Sequence, residues 1–413
     1  MNTNKKIACI VVILAVIGGI WYLENRKTQP IVLRQNRQVT EVNSLRATAS
    51  TSVVAVTVTS TNTNTNGVTP ISQRGNKQKT AIEQLAAADK AAGDMPAIDI
   101  MDPTGFINVA PGFNLSSVIG KKVILLDFWT YSDINCVRTI PYLNAWYQNY
   151  TNAGLEIVSI HTPEFDFEKN LANVQNAVQE YGIHYPVILD NNQGTWNAYN
   201  NLYWPHEYLI DIAGYIVHDQ VGEGYYSETE TDIQKLLDQR AQILGINMAA
   251  IATTTVGITP PNLSEIQSPE TYFGAARNSL LANGTYFVNG NQTLTTPDIS
   301  MMDLNRLYLG GTWDFEDQYA KNSTPGATIT YTYDAGNVYM VASGATNGTV
   351  VDVIQDGTSI SAANAGDDVR DGKVTISESR LYNIVKNSNG GGKHTLQLII
   401  ESPGLQAYTF TFG

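Results

Sequence analysis

One cysteine opens a helix-like stretch in "DFWTYSDINCVRTIPYL", Asp127 to Leu143, directly after an apolar run that ends in a Trp. Thiol redox chemistry at such a loop uses two cysteines, C-x-x-C. The first sits at the helix start, where the dipole and free backbone N–H groups lower its pKa, and attacks a partner disulfide. The second, one turn further on, resolves the mixed disulfide. Here the attacking position is Asp133 and only the resolving position, Cys136, carries sulfur. Asp133 forms no disulfide, so the two-cysteine cycle is not open to this loop within one chain. Asp is instead a favourable N-cap, expected to accept the backbone N–H of Cys136, and its charge disfavours a thiolate beside it. Cys136 is therefore expected to be a sluggish nucleophile. The competing reading is a sheltered, small apolar helix residue with no chemistry at all.

The loop lies between "KKVILLDFW", which reads as a buried strand, and "VRTIPYLNAWYQNYTNAG", whose apolar face reads as a helix ending at Gly154. A strand in "LEIVSIHTP", a helix in "EKNLANVQNAVQEYG", "YPVILD", two strands in "EYLIDIAGYIVHDQVG" and a closing helix in "SETETDIQKLLDQRAQIL" follow. Strand, helix, strand, helix, hairpin and helix predict an α/β domain around a mixed sheet over residues 95–246. A strand-to-helix loop is where α/β sheets place chemistry.

The 413-residue chain is long enough for two such cores. Its 25 Lys and Arg against 38 Asp and Glu, a formal charge of −13, exclude a nucleic-acid role, since no local basic patch stands out. The two cysteines, Cys9 and Cys136, make no disulfide framework. Ile7 to Leu23 is uninterrupted by charge, follows Lys5 and Lys6, and ends in "WYLENRK" rather than in small residues. Residues 1–27 thus read as an uncleaved, single-pass signal anchor, a transmembrane helix with the N-terminus inside. Residues 28–94 are Thr-, Ser- and Asn-rich and read as a disordered tether, with some helix over Thr80 to Asp94. A linker over 247–267 separates the first domain from residues 268–413.

"LLDFWTYSDINCVRTIPYLNAWYQNY", "IVSIHTPEFDFEKNLANV", "YWPHEYLID" and "GEGYYSETE" together resemble the thioredoxin-like portion of the DipZ family, relatives of the TlpA-type membrane-anchored thiol oxidoreductases, or redoxins. "SPETYFG", "SRLYNIV" and "SPGLQAYTFTFG" resemble the carbohydrate-binding-module-like β domain that follows it there. Two departures stand out: the family's multi-span membrane domain is replaced by one helix, and its C-x-x-C reads D-x-x-C. The resemblance implies a thioredoxin-like fold and a cis peptide bond at Pro205 beside the cysteine loop. It also implies that Trp129, Tyr131, Trp204 and Pro205 line an apolar groove for an extended peptide. Taken alone, Trp-Pro before a strand is an ordinary turn device. Thioredoxin-fold peroxidases, with a T-x-x-C pattern, offer a third reading in which Arg138 assists the thiolate, but Asp133 opposes it.

No metal or cofactor is expected, since His161, His184, His206, His218 and His394 lack ligand spacing. His161, after a strand end, and His206, after Pro205, could approach the cysteine loop and tune Cys136, though satisfied structural histidines are the commoner case. Residues 268–413 alternate apolar and polar residues in short runs such as "ATITYTYDAG" and "GTVVDVIQDG" split by turns, which predicts an all-β sandwich of jelly-roll type. Tyr308, Trp313, Phe315, Tyr331, Tyr333 and Tyr339 would stack on sugar rings if exposed, but at alternating strand positions aromatics more often form core. The expected protein is therefore an extracytoplasmic, membrane-anchored redoxin of the bacterial cell envelope with a degenerate site. Its partners are a thiol or disulfide protein or peptide and, through the β domain, wall polysaccharide. The alternative is a non-catalytic module that binds peptide and polysaccharide.

Overall fold

The computed structural model describes residues 71–246, 258 and 262–413, and residues 71–413 form one compact unit. The expected anchor over Ile7–Leu23, the tether as far as Pro70 and most of the linker lie outside the described residues. Among those described, no helix is long and apolar enough to cross a membrane. The end of the expected tether is helix α1 (Ile71–Ala92), which starts well before Thr80 because "TAIEQLAAADKAA" and the residues ahead of it include many good helix formers. It is laid against the first domain: Gln78 Nε2 donates to the Leu244 carbonyl at 2.8 Å, and Asp89 is fully buried.

Strands β1 (Met95–Pro96), β2 (Gly105–Ile107), β3 (Val123–Trp129), β4 (Leu155–His161), β5 (Val187–Leu189), β6 (His206–Ile210) and β7 (Tyr215–Val221) form one mixed sheet in the order β1-β7-β6-β3-β4-β5-β2. Helices α2 (Ile134–Tyr150), α3 (Leu171–Glu180), α4 (Gly194–Ala198) and α5 (Tyr226–Leu244) complete the thioredoxin-like domain. Every residue of β3 is buried, as expected of a continuous apolar run covered on both faces. Alternation along it sorts the core. Val123, Leu125 and Trp129 pack with Cys136, Ile140, Leu143 and Trp146 of α2, while Ile124, Leu126 and Phe128 pack with Trp196 and Tyr208 on the other side. Asp127 shares the register of the first set and so faces the cysteine layer.

The second domain is all β: β8 (Thr271–Tyr272), β9 (Gly290–Leu294), β10 (Leu307–Phe315), β11 (Ala320–Asn322), β12 (Ala327–Asp334), β13 (Asn337–Ser343), β14 (Thr349–Gln355), β15 (Thr358–Ser359), β16 (Lys373–Ile376), β17 (Arg380–Lys386), β18 (Lys393–Ile400) and β19 (Gln406–Phe412). The two sheets expected of a sandwich are continuous here. Strand β10 pairs with β12 through Leu307–Gly310, then with β9 through Gly311–Phe315 and with β11 through Trp313–Phe315, giving a half-barrel round one core. Glycines permit that crossing. A Cβ at Gly310 would stand 2.4 Å from the hydroxyls of Thr296 and Thr328, and Gly311 has φ +92°.

Candidate functional site

The turn between β3 and α2 ends at Asp133, whose extended backbone (φ −88°, ψ 121°) makes it the N-cap of α2. Its Oδ1 accepts the backbone N–H of Asn135 at 2.8 Å, not that of Cys136 as the spacing suggested. The other oxygen, Oδ2, lies 3.5 Å from Cys136 Sγ and accepts from the thiol, while an N-cap bonds either the second or the third N–H of its helix. One carboxylate therefore ties down both the helix start and the sulfur. Cys136 itself is 1% exposed. Burial pushes its thiol well above the ordinary range, the charges of Asp133 and Asp127 push it further, and a backbone hydrogen bond at Thr130 pulls the other way. Asp133, only partly covered, is also pushed well up, by desolvation first and then by Glu270 and Glu164.

Beneath the sulfur lies a buried acidic pair. Asp127 is paired in register with Glu207 on β6 and accepts from the Ser159 hydroxyl on β4. Burial holds Asp127 at about 7 against that hydrogen bond, and Glu207 is raised by burial and then by Asp127. Asp127 Oδ1, Glu207 Oε1 and the Tyr185 hydroxyl have no protein partner among the described residues. Such a polar group of atoms is a place for ordered water.

The second domain closes the loop from outside. The Tyr131 hydroxyl donates to the Ser379 carbonyl at 3.1 Å. Glu164, in the loop after β4, accepts from Arg277 at 2.6 Å and from the Tyr272 hydroxyl at 3.1 Å, and that hydroxyl also lies 2.8 Å from Glu270. Phe165 and Phe167 pack edge-on against Tyr408 with centroids 5.0 and 4.9 Å apart. Ser132 donates to Glu168, which also takes the N–H groups of Glu164 and Phe165 and is held at about 7, chiefly by burial. Arg138 forks onto Glu223 and reaches Asn135 Oδ1 and the Phe412 carbonyl, so its charge is engaged by groups other than the sulfur. Beside α2 a cleft of about 740 Å³ opens between Ile134, Val137 and Pro141 on one side and Tyr339, Arg380 and Leu381 on the other.

The Trp204–Pro205 bond is cis. Trp129, Tyr131 and Pro205 are buried and Trp204 is half-buried, its indole N–H donating to the Thr162 carbonyl and its ring 4.2 Å from that of Trp196. Of the four residues expected to line a groove, only Trp204 is thus partly open in this closed arrangement, while Leu202 and Tyr203 just ahead of it are exposed. His161 does approach the loop. It stacks on Tyr131 at 5.7 Å, meets Trp129 edge-on, and is held neutral by burial, its pKa lowered to about 3. His206 engages Asn201 and Asp219 instead. Among the described residues no cluster of His, Cys, Asp and Glu has metal-binding geometry. Tyr308, Trp313, Phe315, Tyr331 and Tyr333 are core and Tyr339 is half-buried; the exposed aromatics of that domain are Tyr286 and Phe287. Sequence reasoning missed Glu164, Glu168, Glu270, Tyr272 and Arg277, and for Asp127 and Glu207 a lone carboxylate inside an apolar run was the available signal.

Residues 77–219 match the AhpC/TSA family, and residues 268–413 match the family described as thioredoxin like C-terminal domain. The DipZ proteins of Mycobacterium bovis and Mycobacterium tuberculosis are each 36% identical to this chain over 344 residues, covering 82% of it and 45% of themselves. The chain therefore spans about half the length of these curated relatives. The thiol-disulfide oxidoreductase ResA of Bacillus anthracis is 29% identical over 136 residues, which is 31% of this chain and 76% of that protein.

Proposed function

Since the chain is a homologue of the DipZ proteins across both described domains, with a thioredoxin-like fold in the first, we propose that it is an extracytoplasmic, membrane-anchored protein of the thiol-disulfide oxidoreductase class that works through one thiol. Cys136 forms a mixed disulfide with a partner protein, peptide or small thiol, and an incoming thiol releases it. The observation that carries this reading is the pairing of Cys136 Sγ with Asp133 Oδ2 at 3.5 Å, in the place where a two-cysteine site would hold its first, attacking sulfur. The apolar run Ile7–Leu23 supports the anchor, and with it a location in the bacterial cell envelope.

The buried, raised thiol speaks against a peroxidase, which needs a ready thiolate. The binding-module reading has one observation in its favour: Leu202 and Tyr203 stand exposed beside Trp204, next to the cis proline. Wall polysaccharide as a ligand of the β domain draws no support from the aromatics weighed as a stacking face, because five are core, as their strand positions suggested, and Tyr339 is half-buried. The test is incubation of the full chain with oxidised glutathione, followed by intact mass. A single glutathione adduct that disappears in Cys136→Ser supports the monothiol reading, and insulin reduction with a dithiol donor should not exceed the Cys136→Ser background. Absence of the adduct leaves the peptide-binding reading in possession.

A further inference from the structure

The two oxygens of Asp133 have separate tasks. Oδ1 is held at 2.8 Å by the Asn135 N–H, and the helix that supplies this N–H also carries Cys136 one residue later. With one oxygen pinned to the first turn, the carboxylate has little freedom to rotate, and Oδ2 is left 3.5 Å from the sulfur, accepting the thiol proton. A residue that only capped the helix would have no need of this second contact. We infer that Asp133 is a catalytic base for Cys136, taking the thiol proton as the sulfur attacks a partner disulfide and returning it to the departing sulfur. The inference rests on the monothiol reading above and deepens it.

The step balances. The Cys136 S–H bond breaks and an O–H bond forms on Asp133. A bond forms between Cys136 Sγ and the near sulfur of the partner disulfide, and the partner's S–S bond breaks. Its electron pair leaves on the far sulfur, which takes the proton from Asp133 and departs as a thiol. Cys136 is oxidised to a mixed disulfide and the far sulfur is reduced, with the partner disulfide as oxidant. Release runs the same step in reverse with an incoming thiol.

The surroundings suit a base. Desolvation first, and then Glu270 at the exposed rim and Glu164, push the Asp133 carboxyl up, which makes its ionised form a stronger proton acceptor. The opposing groups are the Asn135 N–H and the Cys136 thiol. Arg277 is paired with Glu164, Arg138 with Glu223, and Asp127 lies below the sulfur.

Asp133→Asn separates this role from the others. Asn caps a helix as well as Asp does, so the fold is kept. If Asp133 acts only by repulsion, removing its charge leaves more thiolate and speeds exchange. If it is the base, exchange slows. The experiment measures glutathionylation of the full chain by oxidised glutathione from pH 5 to pH 11, by intact mass, for wild type and Asp133→Asn, with Asp133→Ser as a second capping variant should the first fold poorly. The expected result is a neutral-pH rate lower by about 100-fold in the variant. The two rates should converge at high pH, where the thiolate forms without help. A variant as fast as wild type or faster at neutral pH overturns the inference, and so does an equal loss at every pH, which would mean altered access. A wild-type chain that forms no adduct at any pH overturns the monothiol reading and the inference with it.

Discussion

Replacing Asp127 by Asn removes a charge that the fold buries at a cost. The carboxyl is fully enclosed and sits at about 7 instead of 3.8. A shift of about three units, at about 1.4 kcal/mol each, is a penalty of about 4 kcal/mol on the ionised form. The sign follows from proton counting. Between pH 3.8 and about 7 the folded chain keeps a proton on Asp127 that the unfolded chain has lost. Wild-type stability therefore falls with rising pH by about 1.4 kcal/mol per unit from this group, and levels off above about 7. The neutral amide of Asp127→Asn would carry no such slope and would still accept from the Ser159 hydroxyl. The variant should match wild type near pH 4 and be more stable by about 2 to 4 kcal/mol at pH 8. Glu168, also buried and held at about 7, adds a slope of the same sign to both proteins and cancels in the difference, whereas Glu207, raised by burial and then by Asp127, is relieved in the variant and adds to its advantage at pH 8. Urea unfolding followed by circular dichroism at pH 4, 6 and 8 gives the three differences. An advantage independent of pH, or a variant less stable at pH 8, would refute the reasoning.

The Cys136 thiol should titrate above its free value of about 8.5, read as the midpoint of alkylation rate against pH; a midpoint below neutrality contradicts the assigned causes. Arg277→Ala removes the partner of Glu164, a half-exposed pair worth about 1 kcal/mol of closure, so alkylation of Cys136 should quicken by about fivefold. An unchanged rate means that the domains do not part there. Asp133→Cys should place a thiol at the helix start within disulfide reach of Cys136, at a cost of about 0.5 to 2 kcal/mol for the lost cap. Two free thiols that persist after mild oxidation of a folded variant would show that the loop has diverged beyond one residue.

What was legible in the sequence was local. The run "VILLDFW" announces a strand buried on both faces, and Asp133 ahead of "INCVRTI" announces a capped helix start, because a cap and an apolar face are properties of neighbouring residues. Gly310 and Gly311 interrupt the alternating pattern of strand β10, and only the close approach of Thr296, Thr328 and Ala327 explains them. The cap bond goes to Asn135 and the second oxygen to the sulfur, a choice between two N–H groups that spacing does not make. Glu164 and Glu270 are separated by a whole helix-and-sheet stretch of the chain and meet Asp133 only through packing, so no motif contains them.

That packing links reactivity to domain separation. Desolvation is the first cause of the raised Asp133 carboxyl and of the raised Cys136 thiol, and the second domain supplies part of it: Ser379 over Tyr131, Glu270 beside Asn135, Tyr272 and Arg277 on Glu164. Were the domains to part, water would reach the loop and both groups would relax toward their ordinary values. The carboxyl would ionise more readily and the thiol would become easier to deprotonate. The same separation opens a path to a sulfur that is 1% exposed in the closed chain. A partner that wedges the two domains apart would thus both reach Cys136 and ready it for exchange.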